Sequence, residues 1–237
     1  MNDAQISSSF AAAGFVVIEG FLTADRCARL RLALARHQPE LIVKHAVTGY
    51  DLACDAINRD PLGAGDPDLV ALANDADFVA VTTAVLGSGW KRGGSLVMWL
   101  APGGRGQAWH QDCRADGGRF NCNRLLYTAD IEASDGAVVV VPGSHRLGRV
   151  PAKTAQEDLP GQVVLTPRAG TLVLLHGRCW HRVTPNRSQR ERVSINIRAF
   201  PAGTPTDWDK VAVFRDAEVD FTTGTAISVA SDATPMA

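Results

Sequence analysis

His110 and Asp112 stand two positions apart in the stretch WHQDCRAD, residues 109–116. A neutral imidazole and a carboxylate are both ligands for divalent first-row metals. On an extended segment, residues i and i+2 project to the same side, so both can reach one ion while Gln111 points away. Two histidines and one carboxylate on one face of an octahedron leave three positions open. That arrangement suits non-haem Fe(II) chemistry, in which a co-substrate and oxygen bind together. The pair alone is also what a polar turn looks like, so a third ligand has to come from a strand brought alongside. LLHGRCWHRVTPNRSQRER, residues 174–192, offers two candidates, His176 and His181, at the end of an apolar run and ahead of Arg192.

Arg192 opens a strand-like stretch with two different faces. Val193, Ile195, Ile197 and Ala199 alternate with Arg192, Ser194, Asn196 and Arg198. The polar row either faces water or lines a cavity. The remaining histidines, His37, His45 and His145, fall on helix, loop and turn positions that need no chemistry.

The elements that must position these side chains come in a definite order. Val16–Ile18 is a short β-prone run, and Thr23 or Asp25 then caps a helix whose apolar side is Cys27, Leu30, Leu34 and Ala35. Residues 66–86 read as one or two helices starting at Asp66-Pro67. From Gly93 on, short β-prone runs alternate with Gly, Pro, Asn and Asp clusters: SLVMWLAP, CNRLLYTADI, AVVVVPGS, GQVVLTP, GTLVLLHG and RVSINIRAF. Helices first and strands afterwards disfavour a doubly wound α/β sheet. They predict a mainly β protein with flanking N-terminal helices, a sandwich or barrel of short strands. The expected layout is one domain over 1–217, helical mainly over 23–90 with its β core over 93–215, and a small, polar tail or flap over 218–237.

Composition narrows the function classes. The chain has 237 residues and a formal net charge of −1, so no basic excess is available to neutralise phosphates and no nucleic-acid partner is expected. No apolar run approaches a membrane span, and the first residues lack the basic start and apolar core of a signal peptide; a cytoplasmic protein with no membrane partner is the expectation. The five cysteines, Cys27, Cys54, Cys113, Cys122 and Cys179, are odd in number, contain no Cys-x-x-Cys and read as reduced thiols. A monomer or homodimer acting on a small molecule is the expected state.

Four stretches, in order, resemble the phytanoyl-CoA dioxygenase-like branch of the Fe(II)/2-oxoglutarate-dependent oxygenases. AGFVVIEGFLTADRCARL is similar to the family's opening, and WHQD to its first ligand pair. DGAVVVVPGSHRLG is similar to its Pro-Gly-Ser-His stretch, and HGRCWHRVTPNRSQRER to its distal-histidine stretch, with eleven residues from His181 to Arg192. The resemblance implies a double-stranded β-helix, the jelly-roll or cupin-like barrel. It implies that His110, Asp112 and His181 bind Fe(II), and that Arg192 pairs with the distal carboxylate of 2-oxoglutarate, whose keto-acid end takes two open positions and O2 the last. It favours His181 over His176 as third ligand. Relatives often carry a serine or glycine two residues after the distal histidine; here Val183 stands there, with Thr184 or Ser194 as substitutes for the missing hydroxyl. The implied activity is hydroxylation of an unactivated C–H bond of a small, carboxylate-bearing molecule, an amino acid or natural-product intermediate, with release of succinate and CO2. Arg198, Asn196, Arg114, Arg119 and Arg124 are candidates for meeting that substrate, and Trp99, Trp109 and Trp180 for walling the cavity. A cupin-type metal enzyme without 2-oxoglutarate and a non-catalytic jelly-roll binding module are the alternatives.

Overall fold

The first element is one that periodicity does not announce. Asp3–Ala13 (α1) is rich in Ala and Ser, with only Ile6 and Phe10, four apart, to make an apolar stripe. Its ends specify it instead. Asn2 and Gln5 form a capping box, and Gly14 closes the helix at φ 78°, where a Cβ would also meet Cys179 Sγ and His145 Nδ1. Helical structure therefore begins well before residue 23, correcting the expected layout. The structure, a computed structural model, describes residues 1–37, 46–47, 50–51, 56–58, 60–114, 119–205, 211–215, 217–220 and 226–229. His45 and Cys54 lie outside the described residues.

Phe15–Ile18 (β1) leads to Ala24–Ala35 (α2), capped by the Thr23 hydroxyl. Ala33, rather than the expected Ala35, completes its buried side. The short strands Ala46–Val47 (β2), Tyr50–Asp51 (β3) and Ala56–Asn58 (β4) follow. Pro67–Ala73 (α3) and Ala76–Leu86 (α4) are capped by Asp66 and Asp75, so the 66–86 segment is two helices. No single helix among the described residues is long and apolar enough to cross a membrane.

The strands are Lys91–Leu100 (β5), Gln107–His110 (β6), Cys122–Tyr127 (β7), Val138–Val140 (β8), Val163–Leu165 (β9), Leu172–His176 (β10), His181–Val183 (β11), Arg192–Phe200 (β12), Val211–Phe214 (β13), Ala217–Asp220 (β14) and Ala226–Val229 (β15). They form a six-stranded sheet in the order β1-β10-β7-β12-β5-β4 and a four-stranded sheet in the order β6-β11-β8-β9. This is the double-stranded β-helix arrangement, with a cavity between the sheets. A three-stranded sheet, β13-β14-β15, joins it through Val213, which exchanges two backbone hydrogen bonds with Gln111 at 2.9 and 2.7 Å. The expected tail from residue 218 thus starts inside a strand, and Val219 is buried.

Alternation in β12 decides which side of the larger sheet faces what. Ile195 and Ile197 are buried in the core that also holds Ile6, Phe10, Leu30, Leu72 and Phe78 from the helices. The helices cover that face, and the polar row of β12 looks the other way, into the cavity. A second core, around Trp109, Val139, Val150 and Phe214, lies behind the smaller sheet.

Candidate metal centre

His110 ends β6 and His181 begins β11, and the two are direct cross-strand partners. Their ring centroids are 4.1 Å apart. Each ring is held by its other nitrogen: His110 Nδ1 lies 2.8 Å from the Ala108 carbonyl and His181 Nδ1 lies 2.9 Å from the Cys179 carbonyl. A carbonyl only accepts, so each Nδ1 carries a proton and Nε2 is the nitrogen each ring turns toward the site.

Asp112 supplies the third donor. Its backbone is fixed by donation from its N–H to the Gly177 carbonyl (2.7 Å) and by the Asn121 amide on its own carbonyl (2.9 Å). Oδ1 lies 3.4 Å from His110 Nε2, and Oδ2 lies 3.3 Å from His181 Nε2. Among the described residues, His110, Asp112 and His181 form the one group of three or more such side chains, all buried, whose donor atoms converge within 4.8 Å. Two imidazoles and one carboxylate on one side of a common point form a facial triad suited to Fe(II).

The electrostatics agree with a ligand set. Burial lowers the His110 imidazole, and neighbouring His181 lowers it further, so it stays neutral. Burial alone would raise the Asp112 carboxyl, but the Arg198 guanidinium beside it holds it well below the usual carboxylate range. The carboxylate also accepts from Asn123 Nδ2 at 2.6 Å, and Arg198 Nη2 sits 3.1 Å from Oδ1.

The triad lies in a cavity of about 490 Å³, counting its open mouth. Leu96, Met98, Leu125, Val138, Leu175 and Val183 make apolar walls, and all four polar residues of β12 line it. Register explains the grouping: Ser194 pairs with Met98, and Asn196 pairs with Leu96 and Leu125, so all point to one side. Arg192 is 1% exposed. Its Nη2 reaches only Tyr127 Oη at 3.5 Å, and its Nε and Nη1 have no hydrogen-bond partner among the described residues. A buried guanidinium in that condition fits a carboxylate ligand well.

Other expected site residues lie elsewhere or are already engaged. Thr184 does not line the cavity; its hydroxyl donates to the Ala137 carbonyl. Val183 does line it and gives an apolar surface at that position, while Ser194 places a hydroxyl on the opposite sheet. Trp109 is fully buried in the second core, its Nε1 donating to the Glu157 carbonyl, because β6 turns it away from His110. Trp99 packs on the helical core and Trp180 donates to the Gly148 carbonyl; none of the three tryptophans walls the cavity. Arg124 is buried on the helical side, over Phe78 and bonded to Thr82, and is not a substrate contact. Arg114 pairs with Glu218 at 2.7 Å, Arg119 is exposed, and Arg198 is tied to Asp112 rather than standing ready as a substrate clamp. Asn196 lines the cavity and donates to Asn123 Oδ1. His176 stacks on Phe120 at 4.0 Å and does not line the cavity.

Sequence reasoning missed Asn123 and Phe214. Asn123 follows Asp112 by eleven residues and has no motif spacing. Phe214, beyond every recognised stretch, stacks on His110 at 5.4 Å.

Comparison with known proteins agrees with this geometry. The family model for phytanoyl-CoA dioxygenase matches residues 10–194. Among solved structures, the non-heme alpha ketoglutarate dependent epimerase SnoN from nogalamycin biosynthesis is similar at TM-score 0.68 and 18% identity, covering 90% of this chain and 85% of that one. AviO1 from Streptomyces viridochromogenes Tue57 is similar at TM-score 0.68 and 21% identity, covering 86% and 97%. HygX from Streptomyces hygroscopicus, with nickel, 2-oxoglutarate and hygromycin B bound, is similar at TM-score 0.64 and 17% identity, covering 83% and 86%.

Proposed function

The chain belongs to the phytanoyl-CoA dioxygenase family, and on that premise we propose that it is an Fe(II)- and 2-oxoglutarate-dependent dioxygenase that hydroxylates an unactivated C–H bond of a small molecule. The observation that carries this reading is the buried Arg192 guanidinium, with two unpartnered nitrogens, in the same cavity as a converged His110–Asp112–His181 triad. A metal enzyme without 2-oxoglutarate needs the triad but has no use for that cation.

In this reading His110 and His181 hold the metal through Nε2 and Asp112 through a carboxylate oxygen. Arg192 grips the distal carboxylate of the co-substrate with paired N–H donors, a geometry lysine cannot reproduce. When bound, Fe(II) and 2-oxoglutarate supply the oxidising power: O2 is consumed, 2-oxoglutarate becomes succinate and CO2, and C–H becomes C–OH. Leu96, Met98, Leu125, Val138, Leu175 and Val183 exclude water from that chemistry and pack on the apolar body of the substrate. Asn196 and Ser194 offer neutral hydrogen-bonding groups along the same wall.

The substrate in this reading is an amino acid or natural-product intermediate. Any carboxylate on it is met by a cation other than Arg124 or Arg198, since both are committed within the fold. SnoN is an epimerase, so product analysis belongs in the test. Purified protein is incubated with Fe(II), 2-oxoglutarate and a panel of small molecules, with and without O2. Oxygen-dependent succinate, boosted by one panel member whose mass rises by one oxygen, is the expected result. Stoichiometric metal binding with no succinate under any condition would overturn it.

A further inference from the structure

Asp112 is 4% exposed and Arg198 2% exposed, so their 3.1 Å ion pair is a buried one. Burying a carboxylate demands compensation, and the neighbours of Asp112 differ in what they provide. The two Nε2 atoms lie 3.4 and 3.3 Å from its oxygens, on rings whose Nδ1 atoms are held by backbone carbonyls. Asn123 gives one neutral hydrogen bond. Among the described residues, Arg198 is the only arginine or lysine within ion-pair distance of Asp112.

Arg198 is itself held in place. Its Nε donates to Asn123 Oδ1 at 3.2 Å, and Asn196 Nδ2 donates to the same oxygen at 2.8 Å. Both are donors, so the amide of Asn123 has one permitted orientation, with its nitrogen toward Asp112. Three residues of β7 and β12 thus form a built cradle around the carboxylate.

Resting on the metal-centre reading above, we propose that Arg198 is a positioning residue that stands in for the positive charge of the metal, keeping Asp112 paired and in place in the apo protein. The site is therefore assembled before metal arrives. Because Arg198 and a dication draw on the same carboxylate charge, each weakens the other's hold on Asp112. Coupling between two such sites is commonly about 5- to 150-fold in affinity, and linkage makes it reciprocal.

The test compares thermal melting of the metal-free full chain with and without added Co(II), in the absence of 2-oxoglutarate and O2, for wild type, Arg198→Gln, Arg198→Lys and the double variant Asp112→Asn/Arg198→Gln. Gln keeps a donor without the charge, and Lys keeps the charge. Arg198→Gln is expected to melt lower than wild type without metal, to gain more from Co(II), and to bind Co(II) about 5- to 150-fold tighter. Arg198→Lys should follow wild type, and the double variant, which removes both charges, should recover the metal-free melting temperature. A Gln variant that melts and responds to Co(II) as wild type does overturns the inference. Should Arg198→Gln not fold at all, the double variant decides: recovery supports the proposal, and failure to recover overturns it. Wild type taking up no Co(II) would instead sink the oxygenase reading, while the metal-free melting series still reports on Arg198.

Discussion

The ring of Phe214 lies against the ring of His110, centroids 5.4 Å apart and planes 25° from parallel. A residue of the C-terminal sheet thus buttresses a metal ligand from behind, and the Gln111–Val213 backbone pair holds it there. Phe214→Ala is expected to destabilise the protein by about 3–5 kcal/mol, the usual cost of deleting a buried aromatic. It should also weaken metal binding by freeing the His110 ring. Denaturant unfolding checks the first effect and Co(II) titration the second; Phe214→Leu should retain most of both.

Arg192→Ala separates the two cofactor sites. It should weaken 2-oxoglutarate binding by about 2–5 kcal/mol, the range for truncating one partner of a buried charge pair. Metal affinity should hardly change, because Arg192 is paired with none of the triad. Calorimetric titration of 2-oxoglutarate into metal-loaded protein, and of metal alone, reads both. Loss of metal together with co-substrate would refute this division of roles.

His176 should give the fold an acid-sensitive limb. Burial, then the nearby His145 and Arg178 charges, push its imidazole down to about 3. An unfolded histidine titrates near 6.5, so the unfolded chain takes up this proton first. The linked stability is fully present above about pH 6.5 and declines as pH falls toward 3. His176→Asn, whose Oδ1 can still accept from the Arg178 N–H, should flatten the stability profile across that window. Unfolding free energies measured from pH 7 down to pH 4 for both proteins provide the check.

The described thiols should be slow to react. Burial raises Cys113 and Cys122 to about 12 and Cys179 to about 11, and it raises Cys27 as well. Since the thiolate is the reacting species, peptides containing these four should resist alkylation at pH 8 in native protein and label fully in denaturant. Peptide mass spectrometry reads each position separately, and fast native labelling of Cys113, Cys122 or Cys179 would contradict their burial.

The metal centre was legible by two different routes. An i, i+2 pair fixes His110 and Asp112 on one side of an extended segment, whereas the choice of His181 over His176 comes from the family resemblance and is explained by its cross-strand pairing with His110. The alternation in β12 was legible by the first route: period two survives any tertiary context, though its meaning depended on which face the helices cover. Arg198 was read as a substrate clamp because a cavity-facing cation looks unclaimed when its partner is 86 positions away, at Asp112. Trp109 was placed beside the substrate because it neighbours His110, yet adjacent residues of a strand point to opposite faces. Helix α1 escaped because its specification lies in caps rather than in an apolar stripe. The strands β14 and β15 escaped because residues 218–237 carry few large apolar side chains and read as a small, polar tail.

The strand at Phe15–Ile18 pairs with Leu172–Leu175, more than 150 residues later, on the outer edge of the larger sheet. A growing chain therefore synthesises this edge first and must hold it unpaired until β10 has emerged. The same delay governs the active centre, since His181 and Arg192 follow β10 closely. Edge closure and site assembly become one late event, so a nascent chain stalled before residue 172 has neither a completed sheet nor a full set of ligands, and an unprotected apolar strand invites capture by a chaperone or by another copy.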